Sequence, residues 1–143
     1  MSEHLPSLEG TTLSGRIVRF PADLPEAGLV LVIGFAHAAR HDVGAWKAAL
    51  TERGIPFLSL PTAAMDQEAV DMAAVAQAMR AHVPRPAWEQ VVQIHRGGEA
   101  LMRQFGWQAD VFAKVVRVGC DGAVLSCHGS GPMTEAAISA LLG

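Results

Sequence analysis

The sequence predicts an α/β domain: a three-layer sandwich with a central mixed β-sheet flanked by helices, and an N-terminal β-hairpin. Three observations carry this reading. Short apolar runs alternate with segments of helical period over residues 29–105, so the intervening strands need crossovers and lie parallel in part. KVVRVGCDGAVLSCHG places two alternating strands around Asp-Gly, which adds an antiparallel pair late in the chain. The opening LEGTTLSGRIVRFPADLPEAG is punctuated by Gly10, Gly15, Pro21 and Pro25, and its RIVRF alternates as a half-buried strand does.

Each element follows in order. LVLVIGF (29–35) is apolar throughout and bounded by Gly28, as expected of a strand covered on both faces. From Arg40 to Arg53, Val43, Trp46, Ala49 and Leu50 recur at helical spacing, and Gly54 supplies the stop. PFLSLP (56–61) is a second buried strand. Residues 65–83 are rich in helix formers, with Met72, Val75, Met79 and Val83 on one stripe. Pro84 and Pro86 break that helix before VVQIH (91–95), and Trp88, which follows them, closes the core over a long loop. RGGEALMRQFGW gives a helix of two to three turns ended by Gly106; RGGE lacks the lysine of a phosphate loop and reads as a helix start. GPMTEAAISALLG forms the last helix, capped by Thr134 or Ser130. The 143 residues read as a single domain, with 1–28 an N-terminal hairpin and loop extension.

Composition excludes several function classes. Net charge is -3, and nine arginines and two lysines are scattered singly. Nucleic acid needs a concentrated basic face, and a membrane surface needs a polybasic cluster; neither is present. The longest apolar run, AGLVLVIGFA, is about half of the roughly 20 residues a membrane span requires. MSEHLPSLEG lacks a basic head followed by an apolar stretch, so the expectation is a cytoplasmic protein without a secretory signal.

Cys120 and Cys127 are the two cysteines. With Asp121-Gly122 as a two-residue turn, Cys120 faces Ala123 and Cys127 faces Val116. The thiols then lie about 13 to 17 Å apart at 3.3 Å per residue, whereas a disulfide needs alpha carbons within about 7 Å. Both are expected as free thiols, Cys120 reachable by solvent and Cys127 a small buried hydrophobe.

The order of elements, with three stretches, resembles the thioredoxin-like superfamily and within it the peroxiredoxin-like branch. The stretches are LVLVIGF feeding a helix with an internal Trp, EALMRQFGW, and VVRVGCDGAVLSCHGSG; together they span most of residues 29–143. The resemblance implies a reactive thiol at the junction FAHAARHDVGAW (35–46), and none is there. On the Cys-x-x-Cys pattern, Arg40 and Val43 stand where the cysteines would be, and the longer peroxiredoxin spacing reaches Gly44. The cis-proline of these folds would fall near Ala113, and it too is missing.

The junction therefore keeps the position of an active site without its thiol. It offers a helix N-terminus whose first N–H groups lack intrahelical partners, with Arg40 and His41 to reinforce an anion and Asp42 to satisfy the dipole. The expected ligand-binding set is His37, Arg40, His41, Trp46 and Ala113, with no catalytic residue, no cofactor and no metal. The leading expectation is a redox-inactive binding, assembly or chaperone-type protein with a protein or peptide partner, and a homodimer left open. One alternative is an atypical thiol peroxidase or oxidoreductase using Cys120 or Cys127. The other is a metal site through His37 and His41, which would need further ligands.

Overall fold

The computed structural model describes residues 3–61, 69–108 and 110–143. Its strands are β1 (Leu8–Thr12), β2 (Ile17–Phe20), β3 (Leu29–Gly34), β4 (Phe57–Pro61), β5 (Val92–Arg96), β6 (Lys114–Val118) and β7 (Val124–His128). Its helices are α1 (Arg40–Glu52), α2 (Ala69–Arg80), α3 (Gly98–Phe105) and α4 (Glu135–Leu142). The expected helix over 65–83 is found as Ala69–Arg80 and ends three residues earlier than expected; residues 65–68 and the Met72 side chain lie outside the described residues.

β3 organises the core because its side chains alternate between two apolar layers. Leu31 and Ile33 face a cluster with Phe20, Leu60, Ile94, Leu101 and Val116. Val30 and Val32 face the other layer, where α1 and α4 supply Val43, Trp46, Leu50, Ile138 and Leu141. The stripe Val43, Trp46, Ala49 and Leu50 is the buried face of α1, as its spacing predicts. A smaller cluster of Leu13, Ala76 and Val91 is closed by Met79, Val83 and Trp88, whose indole donates to the Val83 carbonyl at 2.9 Å.

The mixed α/β fold is as the sequence predicts, but its strands fall into two hydrogen-bonded groups where one sheet was expected. Four are ordered β4-β3-β6-β7, with β3 and β4 parallel and the rest antiparallel. The other three are ordered β2-β1-β5 and are antiparallel. A single parallel bridge, Ser59 to Val91, joins the two groups. The β1–β5 register shifts between Glu9 and Gly10, an irregularity that adds local twist.

The β6–β7 turn is a second correction. The Gly122 N–H donates to the Gly119 carbonyl and the Gly119 N–H to the Ala123 carbonyl. The loop is therefore the three residues Cys120-Asp121-Gly122, not a two-residue Asp-Gly turn. Asp121 stabilises it by accepting the Ala123 amide at 3.0 Å. Gly122 has φ +86°, and a Cβ there would collide with Pro21. Cys127 does stand opposite Val116, as expected.

Residues 3–5 add a short pairing beside this turn. Leu5 donates to the Gly122 carbonyl, Val124 donates to the Glu3 carbonyl, and His4 bridges Ala123. Gln104 anchors the segment through the His4 carbonyl. Among the described residues, no helix is long and apolar enough to cross a membrane.

The two-faced burial of β3 sets a testable contrast. Leu31→Ala should cost about 2–5 kcal/mol by transfer and cavity formation. Leu125→Ala, on the exposed face of β7, should stay within about 0.5 kcal/mol. Urea unfolding midpoints check both.

Candidate functional site

The junction forms where β3 ends at Gly34 and the chain turns before α1. Phe35 is buried, and a short 3-10 turn, His37–Ala39, feeds the helix. Ala39 precedes α1 without a side-chain cap. Gly34 lies close under Val43, so the turn sits tightly on the first helical turn.

Asp42 fixes this arrangement. Its carboxylate accepts the Ala113 amide at 2.7 Å and the Met133 amide at 2.9 Å. One side chain thus binds α1 to the loop before β6 and to the segment before α4. Charged acceptors make the stronger backbone hydrogen bonds. The expectation that Asp42 only satisfies the helix dipole is too small.

Lys114 braces the same region from within. It is 1% exposed, and its Nζ donates to both Asp110 carboxylate oxygens at 2.9 Å and to the Gly129 carbonyl at 3.0 Å. All three ammonium protons therefore have acceptors. Asp110 also accepts the Phe112 amide at 2.9 Å. Burial works to raise the Asp110 pKa, but the Lys114 hydrogen bond, the Phe112 amide and the Lys114 charge outweigh it and hold the carboxyl below its ordinary value. Gly129 lies close against the Trp107 indole nitrogen, where a Cβ would overlap the ring.

The expected site residues divide. Arg40 and His41 are exposed beside the start of α1. The backbone of His37 opens the 3-10 turn, and its side chain lies outside the described residues, as does any metal reading that depends on it. Trp46 is a correction: it is fully buried against the sheet, its ring 5.2 Å from that of His128, so it cannot serve as a surface anchor. Ala113 is a second: its side chain is buried and its amide is already committed to Asp42. Val111, unnoticed in the sequence, projects beside this loop with 53% of its surface exposed.

Both thiols are free and exposed. Exposure of Cys127 corrects the expected buried hydrophobe; β7 alternates, and Cys127 shares the outward face with Leu125. Its thiol pKa is raised, first by partial desolvation and then by the Glu3 charge, which opposes thiolate formation. Cys120 lies in the β6–β7 turn, seven residues from Ala113. At about 3.3 Å per residue, that is roughly 20 Å from the junction. The structure does not bring either thiol to the junction. Among the described residues, no three His, Cys, Asp or Glu side chains gather as a metal site.

The loop amides beside the junction are thus spent internally. Phe112 gives its proton to Asp110 and Ala113 gives its own to Asp42. Asp42 also places a negative charge in the first turn of α1, which competes with an incoming anion. Arg40, His41 and Val111 are the exposed side chains on the elements that meet at the junction.

No family model matches the sequence, and no curated protein matches it. Solved structures do. A thio-disulfide isomerase from Thermus thermophilus superposes with a TM-score of 0.62 at 17% identity, covering 99% of this chain and 94% of that one. A member of the Sco family of cytochrome c oxidase assembly proteins gives 0.61 at 11%, covering 99% and 93%. A thiol peroxidase from Chromobacterium violaceum gives 0.60 at 11%, covering 98% and 83%. The chain has a thioredoxin-like fold.

Two outcomes test the bracing. Asp42→Ala leaves two backbone donors without their acceptor and should cost about 2–4 kcal/mol, with Asp42→Asn costing less because one acceptor oxygen survives. Denaturant unfolding measures both. Because the Asp110 pKa is lowered on folding, the unfolded chain binds more protons near its ordinary value of 3.8. The stabilisation is therefore present above that pH and lost as pH falls through the folded value. Asp110→Asn should flatten the acid limb of the stability profile, and an unchanged limb would refute the role given to this carboxylate.

Proposed function

We propose that this chain is a thioredoxin-fold binding protein without thiol redox chemistry, and that its recognition surface is the exposed rim of the junction. The observation that supports this most is the double carboxylate brace. Where a redox fold would need a thiol and a receptive loop, this chain has Arg40 to Val43 and amides already paired to Asp42 and Asp110. A site built this way holds its shape but has no nucleophile with which to exchange electrons.

The surface suits a protein or peptide segment. Val111 offers an apolar contact, and Arg40 and His41 offer polar and cationic ones. An extended segment carrying one apolar side chain and a neighbouring acid matches that pattern. The brace lowers the ordering cost of binding, because the loop and the helix end are already fixed.

A second reading, an atypical thiol enzyme, draws on the exposure of both cysteines. Its weakness is the raised pKa of Cys127 and the distance of Cys120 from the junction.

Comparison of three immobilised baits, wild type, Arg40→Ala and Val111→Asp, against native lysate discriminates the readings. Partners held by the wild type should drop at least tenfold on both variants. Identical partner sets on all three would remove the surface from consideration. Peroxide consumption that disappears in Cys120→Ser would instead establish the thiol reading.

A further inference from the structure

The outer face of the β2-β1-β5 group carries polar side chains that the junction does not use. LEGTT alternates along β1, so Leu8, Gly10 and Thr12 are buried, and Glu9 and Thr11 stand half-buried on the other face. Thr11 pairs with Gln93 and Gly10 with Ile94, and unbroken pairing would set Glu9 against His95. Glu9 instead stands opposite Arg96, which makes His95 the extra residue of a bulge. A bulge re-aims a side chain, and here it brings the imidazole between Glu9 and Thr11. Gly10 permits the close approach of the two strands at this point, since a Cβ there would lie 2.5 Å from the Gln93 carbonyl oxygen.

The three side chains stand in the order hydroxyl, imidazole, carboxylate. Thr11 Oγ1 lies 3.4 Å from His95 Nε2, and His95 Nδ1 lies 3.7 Å from Glu9 Oε1. An ionised carboxylate only accepts, so Glu9 favours the tautomer with its proton on Nδ1 and leaves Nε2 as the acceptor facing the hydroxyl. The other Glu9 oxygen takes the Arg19 Nε at 3.0 Å, which fixes the carboxylate. Side-chain exposures of 26% for His95 and 29% for Glu9 leave the group shielded in part and still open to solvent. Ile17, directly opposite Thr11 on β2, is 55% exposed and offers an apolar contact beside the hydroxyl. Nucleophile, base and orienting group in this order are what activates a hydroxyl, and their contacts are commonly longer before substrate arrives.

We propose that Thr11, His95 and Glu9 form an acyl-transfer site whose substrates are small carboxylic esters. Thr11 Oγ1 attacks the ester carbonyl carbon while its proton passes to His95 Nε2. The bond from that carbon to the leaving oxygen breaks, and His95 returns the proton to the departing alcohol. Water then repeats the sequence on the threonyl ester, giving a proton to His95 and its oxygen to the acyl carbon. The carboxylic acid leaves, and the proton returns to Thr11. Glu9 is a positioning residue that acts through the imidazole. The assignment is independent of the junction surface.

The test follows 4-nitrophenolate release from 4-nitrophenyl acetate by the full chain, in a Cys120→Ser/Cys127→Ser background that removes acetylation of the thiols. Release above the buffer rate is expected. Thr11→Val and His95→Gln should each lower it about a hundredfold, whereas Thr11→Ser should keep it. Glu9→Gln should lower it about tenfold or more alone and change nothing in the His95→Gln chain, because groups that act as a unit are not additive. A merely structural role for Glu9 would cost the same in both. A fluorophosphonate, whose adduct water does not readily remove, should label Thr11 in a peptide mass map and should fail to label it in His95→Gln. Circular dichroism checks that each variant is folded. Wild-type release in a folded Thr11→Val chain, a fluorophosphonate map without Thr11, or additive losses for Glu9→Gln and His95→Gln would overturn the proposal.

Discussion

The Asp42 carboxylate joins three parts of the chain that are distant in sequence. It sits in the first turn of α1, yet its two oxygens serve Ala113, 71 residues later, and Met133, 91 residues later. A buried or half-buried amide without an acceptor is costly, so each of these donors needs this acceptor or another like it. The position of α1 over the sheet, the path of the loop into β6 and the approach to α4 are therefore mutually dependent. Lys114 repeats the logic one residue further on, tying Asp110 to the Gly129 carbonyl across β6 and β7.

This dependence explains how the loops at the sheet end keep their positions. Hydrophobic layers on both faces of β3 place the elements, but they are not directional and do not fix the loops at the sheet end. Directional, charged acceptors do. The structural neighbours include an isomerase, a peroxidase and a member of a family of oxidase-assembly proteins, so the fold is compatible with very different chemistries and does not by itself fix a task.

Much of the architecture was legible in the sequence because it depends on period. The apolar run 29–35, the Val43–Trp46–Ala49–Leu50 stripe, the Gly106 stop and the Thr134 cap each report a local rule, and each is observed. The split sheet was not legible, since a ladder that opens after one bridge leaves no periodic trace. The turn at Cys120 misled because Asp-Gly fits both a two-residue loop and the end of a three-residue one. Lys114 was missed because a lysine opening an alternating strand suggests exposure; its partners come from the loop before β6 and from the residue that follows β7. Trp46 was readable either as core or as platform, and only its place in the packed layer decides for core.

The pairing of residues 3–5 against the start of β7 has a consequence for handling the molecule. An uncovered strand margin carrying Leu125 and Cys127 invites other chains to add on, through backbone pairing and then through intermolecular sulfur bonds. The leader segment shields the first part of that margin at the cost of a few hydrogen bonds. Clipping it, or crowding it with a fused tag, would turn a quiet border into a seed for fibrous or crosslinked material.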